Sequence, residues 1–324
     1  MRPVEDYRDF LTNALQQNIR LKEPANLYEP IVYILSIGGK KMRPVLTLLT
    51  ADIFGADFKE ALPAAIAVEV FHNFSLVHDD IMDDAPLRRG NETVHEKWNI
   101  NTGILSGDAM LILAYQFFEQ YEPEVFKALA KLFSKTALEV CEGQQWDVDF
   151  ETRDDVTIPE YLNMIKFKTA VLVAAAMKMG AIIAHTSEEN CKNIYDFGLN
   201  LGIAFQIQDD YLDAFGNPET FGKQPGGDII ENKKTYLYLK ALEFSNHADS
   251  EQLRHFFAIR TDDNLEKIRE VKKIFQSSGA SDAALAAIRK YTEKAFESLD
   301  GIDVSADKKQ FLKNFGNKLM ERKV

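Results

Sequence analysis

Cysteine is almost missing from this chain. Cys141 and Cys191 are the two among 324 residues, too few for a disulfide framework and suited to a reducing cytosol. Structural punctuation is thin as well. The 17 Gly and 10 Pro gather between apolar runs, and no low-complexity segment or linker appears. Alternating, strand-like patterns are scarce, which argues against a β fold. No uncharged apolar run reaches the ~18 residues of a membrane helix. The nearest, Thr169–Ala184, is interrupted by Lys178, so no membrane span is expected. Positive charge is in deficit. Against 50 Asp and Glu stand 38 Lys and Arg, a formal net charge of -12, which argues against a nucleic-acid partner. Met1 is followed by acidic, polar sequence without the pattern of a secretory signal. A cytoplasmic protein is expected.

What is present is helical periodicity. With 46% hydrophobic residues the chain can bury a large core. Apolar residues recur at three- and four-residue spacing in Val45–Phe54, Leu62–Met82, Ile104–Phe118, Ala128–Val140, Ile158–His185, Cys191–Phe215, Thr235–Phe244, Asn264–Gln276 and Asp282–Leu299. The clearest loops are Pro86–Asn91, Gly216–Asn232 and Ser277–Ser281. The spacing predicts an all-α protein. Length alone suggests about two domains, but the motifs below are useful only together. One domain over residues 1–324 is therefore expected.

One motif occurs twice. Asp79-Asp80-Ile81-Met82-Asp83 and Asp209-Asp210-Tyr211-Leu212-Asp213 both read Asp-Asp-x-x-Asp, each at the end of an apolar run. The first and last Asp are four apart and share a helix face. Such carboxylates repel one another unless a cation is bound. In the first copy, Asp84 adds a further carboxylate near a helix C-terminus, where negative charge opposes the macrodipole. A solvated acidic helix end is the bland alternative, and it does not account for two copies. Oxygen-only donors suit a hard ion such as magnesium, which takes a few carboxylates together with phosphate oxygens.

Basic residues stand near these motifs. Gly38-Gly39-Lys40-Lys41-Met42-Arg43-Pro44 is a glycine turn feeding a helix, with cations at its mouth. Arg88-Arg89 follows shortly after Asp83 and is close enough to reach the same ligand. His72 lies two turns before Asp79 on roughly the same face, where a histidine is more often core. Lys168-Thr169 interrupts an apolar helix, where a buried Lys needs a partner. The Gly216–Asn232 loop carries Lys223, Gly226, Gly227 and Asp228, followed by Lys233 and Lys234. It reads as a phosphate lid, or equally as a solvated loop.

These residues together resemble the trans-polyprenyl diphosphate synthases, the farnesyl and geranylgeranyl diphosphate synthase family. The matching segments are GGKKMRP (38–44), HDDIMDDAPLRRG (78–90), GQQWD (143–147), Lys168-Thr169, FQIQDDYLD (205–213) and GKQPGGDIIENK (222–233). They fall in family order across roughly residues 30 to 240. The resemblance implies a single helical bundle of the isoprenoid synthase type with a central diphosphate–metal cavity, and a homodimer. It implies Mg2+, with three ions and Mn2+ as a substitute, held by Asp79, Asp83 and Asp209 and assisted by Asp80, Asp210 and Asp213. Lys168, Lys223 and Arg88 would neutralise an allylic diphosphate. Thr169 and Gln206 would shelter the allylic cation after the carbon–oxygen bond breaks. Isopentenyl diphosphate would sit on Gly39, Lys40, Arg43, His72 and Arg89, with Gln144, Asp147 and Lys233 at the border of the site.

Product length is expected to depend on Phe74, about 7.5 Å before the first Asp along the helix at 1.5 Å per residue, and on Phe71 one turn lower. In this family an aromatic there is a floor under the growing tail; the bland reading is ordinary core. The uninserted acidic motif and Ser75 resemble the geranylgeranyl type, so C15–C20 products are expected, with C20 ahead. Two other readings remain: a terpene cyclase of the same fold, and a non-catalytic subunit of a heteromeric synthase. The second basic set argues against the first and the two intact acidic motifs against the second. Arg322-Lys323-Val324 reads as a solvated tail rather than a flap over the site.

Overall fold

The computed structural model describes residues 1–217, 226–259 and 264–321. Among the described residues the chain is helical apart from one two-residue hairpin, β1 Leu87–Arg88 paired with β2 Asn91–Glu92. The helices in order are α1 Val4–Asn18, α2 Ala25–Ser36, α3 Met42–Ile53, α4 Leu62–Met82, α5 Val94–Lys97, α6 Ile100–Phe118, α7 Pro123–Thr152, α8 Ile158–Ile165, α9 Val171–Ile183, α10 Glu188–Phe215, α11 Gly227–Ile230, α12 Tyr236–Phe244, α13 His247–Ala258, α14 Asn264–Ser277, α15 Ala280–Asp300 and α16 Ala306–Met320. The all-α expectation holds. The four-residue α5 and α11 and four longer helices escaped the periodicity. In α1, α13 and α16 a few buried residues alternate with many charges, so the apolar stripe is narrow. In α2, Pro30 sits inside the helix, which weakens a sequence signal.

The chain folds as two compact units, one of residues 1–134 and 175–192, the other of 135–174 and 193–324. In the first, α4 packs along α6, with α2 also on α6 and α3 on α4. Helix α4 is apolar nearly all round: Ala64 through Val68, Val70 and Phe71 are all buried, as expected of a core helix. With the 3-10 turn Phe58–Ala61 before it, α4 is long and apolar enough to cross a membrane. Most of that stretch is buried, and it carries Glu69, His72, Asp79 and Asp80. It reads as a core helix, contrary to nothing in the chemistry below.

In the second unit, α12 packs on α15, α8 and α14. Its core joins Tyr161 and Ile165 to Ile203, Ile207, Leu237, Val271 and Phe275. Thr157 starts α8 with a capping box: Glu160 N–H donates to Thr157 Oγ1 and Glu160 Oε2 accepts from Thr157 N–H. Between α8 and α9 lies one turn of π-helix, Lys166–Ala170. Such bulges displace a side chain from the regular helix and recur at functional sites.

Candidate active site

The first unit gathers the basic turn, the first acidic motif and the double arginine. Gly38 and Gly39 adopt φ of +78° and +131°, values that L side chains avoid. A Cβ on Gly39 would stand 2.4 Å from Arg89 Nη1, so a side chain there would push the guanidinium aside. Arg89 donates to the Gly38 carbonyl. Arg43 Nη1 lies 3.1 Å from His72 Nε2. Burial pushes His72 well below the usual imidazole range, and the cations Arg43, Arg89, Arg88 and Lys41 push it the same way. His72 is therefore neutral, with Nε2 accepting from Arg43. Burial also lowers Arg43, to about 10, and its Nε has no hydrogen-bond partner among the described residues. A half-buried guanidinium with an unmet donor and no paired carboxylate is suited to an anionic ligand.

Two neighbours that read alike in sequence separate in the structure. Lys40 is exposed, whereas Lys41 is inward and pairs with buried Glu69 at 3.2 Å. The acidic motif also divides. Asp80 is buried and held bidentate by Arg88, with Nε–Oδ2 at 2.8 Å and Nη2–Oδ1 at 2.6 Å. Burial raises the Asp80 carboxyl although Arg88 opposes the shift. Asp79 stands 4.0 Å from the same guanidinium. Asp83 is the C-cap of α4 and exposed. Asp79, partly buried, and Asp83, exposed, thus lie one turn apart, while Asp80 braces Arg88.

Below the motif, Phe71 is fully buried and Phe74 is 9% exposed, with ring centroids 5.5 Å apart. Phe133 lies edge-on to Phe71 at 5.0 Å and to Phe118 at 5.1 Å. Phe74 is the top of a stack of aromatic rings, not an isolated residue.

In the second unit a cavity of about 120 Å³ is lined by Asp147, Tyr161, Lys168, Thr169, Gln206, Asp210, Asp228 and Lys233 among others. Lys168 Nζ donates to Asp147 Oδ2 at 2.5 Å. Thr169 Oγ1 donates to Gln206 Oε1 at 3.1 Å, and Gln206 Nε2 to Asp210 Oδ1 at 3.0 Å. The Tyr161 hydroxyl also donates to Asp210. Burial pushes the Asp210 carboxyl up to about 7, and Asp209 and Asp147 add to the shift. Burial, with the nearby carboxylates of Asp210 and Asp213, holds Asp228 well above its usual range. Asp228 N–H donates to Asp213 Oδ2 at 2.9 Å, which ties α11 to the motif. Asp209, Asp210, Asp213 and Asp228 are therefore a cluster of oxygen donors whose mutual repulsion a cation would relieve. The donor set fits Mg2+.

Two glycines set this geometry. A Cβ on Gly143, inside α7, would meet Lys168 N at 2.2 Å, and one on Gly202 would meet Ala170 Cα at 2.8 Å. The π turn carrying Lys168 and Thr169 is gripped from both sides. Lys233 is held above its usual range by Glu231, 2.8 Å away, despite burial. Gln144 Nε2 is buried without a hydrogen-bond partner among the described residues. Lys223 and the tail Arg322–Val324 lie outside the described residues.

The structure brings Gly39, Arg43, His72, Arg88 and Arg89 together in one unit and Asp147, Lys168, Thr169, Gln206, Asp210 and Lys233 together in the other. Sequence reasoning assigned no role to Glu69, Tyr161 or Gly202, and named Gly143 and Asp228 only within longer segments. A Glu inside an apolar helix was a usable signal for Glu69. Tyr161 gave none, since one tyrosine on an amphipathic helix is ordinary.

Residues 24–276 match the family model described as Polyprenyl synthetase. A geranylgeranyl pyrophosphate synthase of Geoglobus acetivorans is 38% identical over 98% of both chains. A geranylfarnesyl diphosphate synthase of Natronomonas pharaonis is 34% identical over 98% of this chain and 96% of that one. A crystal structure titled geranylgeranyl pyrophosphate synthase superposes with a TM-score of 0.96 at 55% identity, covering 100% of both chains.

Proposed function

Since the chain belongs to the polyprenyl synthetase family, with the prenyltransferase activity of that family, we propose that it joins isopentenyl diphosphate to an allylic diphosphate and stops at C20, with C15 the runner-up. The observation that carries the reading is the Arg43–His72–Arg89 set. A cyclase, which ionises a diphosphate without adding a second one, has no use for it. Neutral His72 fixes one edge of Arg43, and the Gly38 carbonyl fixes Arg89. Both guanidinia are thus oriented before isopentenyl diphosphate arrives, which lowers the ordering cost of binding.

In the first unit Asp79 and Asp83 would offer carboxylate oxygens to Mg2+, and in the second unit Asp209, with Asp213, would do the same. Bound Mg2+ would neutralise the allylic diphosphate and make it a better leaving group. Lys168, held in place by Asp147, adds positive charge at the diphosphate. Thr169 and Gln206 turn oxygen lone pairs toward developing cationic charge, and their mutual hydrogen bond keeps them oriented. Asp80, which also braces Arg88, and Asp210, which also anchors Gln206 and Tyr161, assist these carboxylates. Lys40 in the first unit, and Gln144 and Lys233 in the second, are further candidates for substrate contact.

Phe74 closes the tail channel and the rings of Phe71, Phe133 and Phe118 stiffen it. Relatives named for geranylgeranyl and geranylfarnesyl products favour C20 over C15. We assign residues 1–324 to one synthase domain acting as a cytoplasmic homodimer. Exposed Ile104, Leu105 and Ile112 on α6 offer a subunit-facing apolar patch. The test is a product assay: purified protein with Mg2+, isopentenyl diphosphate and dimethylallyl, geranyl or farnesyl diphosphate, resolved by mass spectrometry. A dominant C20 product is expected. Diphosphate release without elongation of any primer would move the chain to the cyclases.

A further inference from the structure

Beside the first acidic motif the chain folds back on itself. Ala85 N–H donates to the Asp80 carbonyl at 2.9 Å, Thr93 N–H to Pro86 O at 3.2 Å, and Thr93 Oγ1 to Ala85 O at 2.8 Å. The β1–β2 hairpin closes between these ties. Asp84, in the left-handed region at φ +49° that Asp tolerates, is thereby brought next to α5. One ligand atom each of Asp84, His95 and Glu96 lies within 4.8 Å of the other two.

We propose that Asp84, His95 and Glu96 form a further divalent-cation site, for an ion of the zinc class. Carboxylates at a loop would not suffice for this; the buried histidine carries the argument. His95 is 7% exposed, and neither ring nitrogen has a hydrogen-bond partner among the described residues. Buried imidazoles normally satisfy both nitrogens. Glu96 Oε1 is 3.7 Å from Nε2, too far for a hydrogen bond. That spacing does suit two ligands of one ion. With bonds of about 2.1 Å, ligand atoms are roughly 3.4 Å apart at the tetrahedral angle and at most about 4.2 Å apart. The donors are one nitrogen and two carboxylates, a set that takes Zn2+, Co2+ or Mn2+. The oxygen-only acidic motifs suit Mg2+ instead. The site goes beyond the proposed condensation and does not depend on it, because none of its three residues is assigned a role there.

The experiment is a long-range 1H–15N spectrum of the six histidines of the full chain. Zn2+ is titrated at excess Mg2+, which occupies the acidic motifs. The His95 signals are identified by their loss in His95→Gln. The expected result is that Zn2+ shifts the His95 ring nitrogens first. Asp84→Asn and Glu96→Gln, both at exposed positions that leave His95 in place, should each weaken that binding about tenfold or more. Unmoved His95 signals at saturating Zn2+, or unchanged affinity in both exposed-site variants, would overturn the proposal and leave a buried imidazole beside two solvated carboxylates. If His95→Gln loses its fold, the His95 signals are instead those whose Zn2+ shift weakens in both Asp84→Asn and Glu96→Gln, and the absence of any such signal overturns the proposal.

Discussion

Gly143→Ala isolates the link between packing and chemistry. Position 143 is inside α7, where alanine is favoured over glycine by about 1 kcal/mol. On helix propensity alone the change should stabilise the protein. The tertiary structure opposes it. The added Cβ would stand 2.2 Å from Lys168 N and 2.7 Å from Lys168 Cα. These are backbone atoms of the π turn and cannot rotate aside. Relief to an ordinary 3.4 Å contact requires a shift of a little over 1 Å. Overpacking of this kind costs about 1–3 kcal/mol, so the net loss of stability should be about 0–2 kcal/mol and the fold should survive. Turnover should suffer more. Lys168 and Thr169 move with the turn, and a 1 Å displacement of reacting groups costs on the order of 10²-fold. Circular dichroism and thermal melting check the fold; steady-state kinetics with isopentenyl and farnesyl diphosphate check the rate. A folded variant with native kcat would refute the claim that the glycine positions the turn. Gly202→Ala, which presses Ala170 from the opposite side, should show the same split between stability and rate.

Phe74→Ala should lengthen the products and destabilise the protein by about 3–5 kcal/mol, because a buried ring is lost from an aromatic stack; an unchanged product distribution by mass spectrometry reduces Phe74 to packing. Asp79→Ala and Asp209→Ala should each abolish turnover without lowering the melting temperature, since clustered negative charge is relieved; substantial residual activity in either would remove it from the metal ligands. Excess EDTA should stop condensation and Mg2+ should restore it; turnover in EDTA contradicts the metal role. His72 is depressed by burial in the folded state, so its contribution to stability is present above the unfolded imidazole value near 6.5 and is lost as pH falls below it. The melting temperature should therefore drop between pH 7 and pH 5, less steeply in His72→Asn; parallel profiles for the two proteins would show that His72 does not titrate there.

Much of this was readable without coordinates. Apolar spacing located α4, α6 and α10 because their buried stripes are wide. It missed α1 and α16, whose few buried residues are outnumbered by charges. The acidic motifs and the glycine turn were legible because their chemistry is local: four-residue spacing on a helix puts carboxylates side by side, and consecutive glycines permit backbone that other residues resist.

Local sequence could not divide labour among look-alike residues. Lys40 and Lys41 are neighbours of the same type, yet Lys41 is consumed by Glu69 from α4. Asp79 and Asp80 are equally adjacent, yet Asp80 is enclosed by Arg88. The pairing of Tyr161 with Asp210, and the fit of Gly143 against the π turn, join residues 49 and 25 positions apart. The sequence by itself determined which charges exist and which helix face each occupies, because backbone periodicity dictates both. Which charges remain for a ligand was decided only by tertiary structure, because burial and the nearest opposite charge depend on segments far apart in the chain.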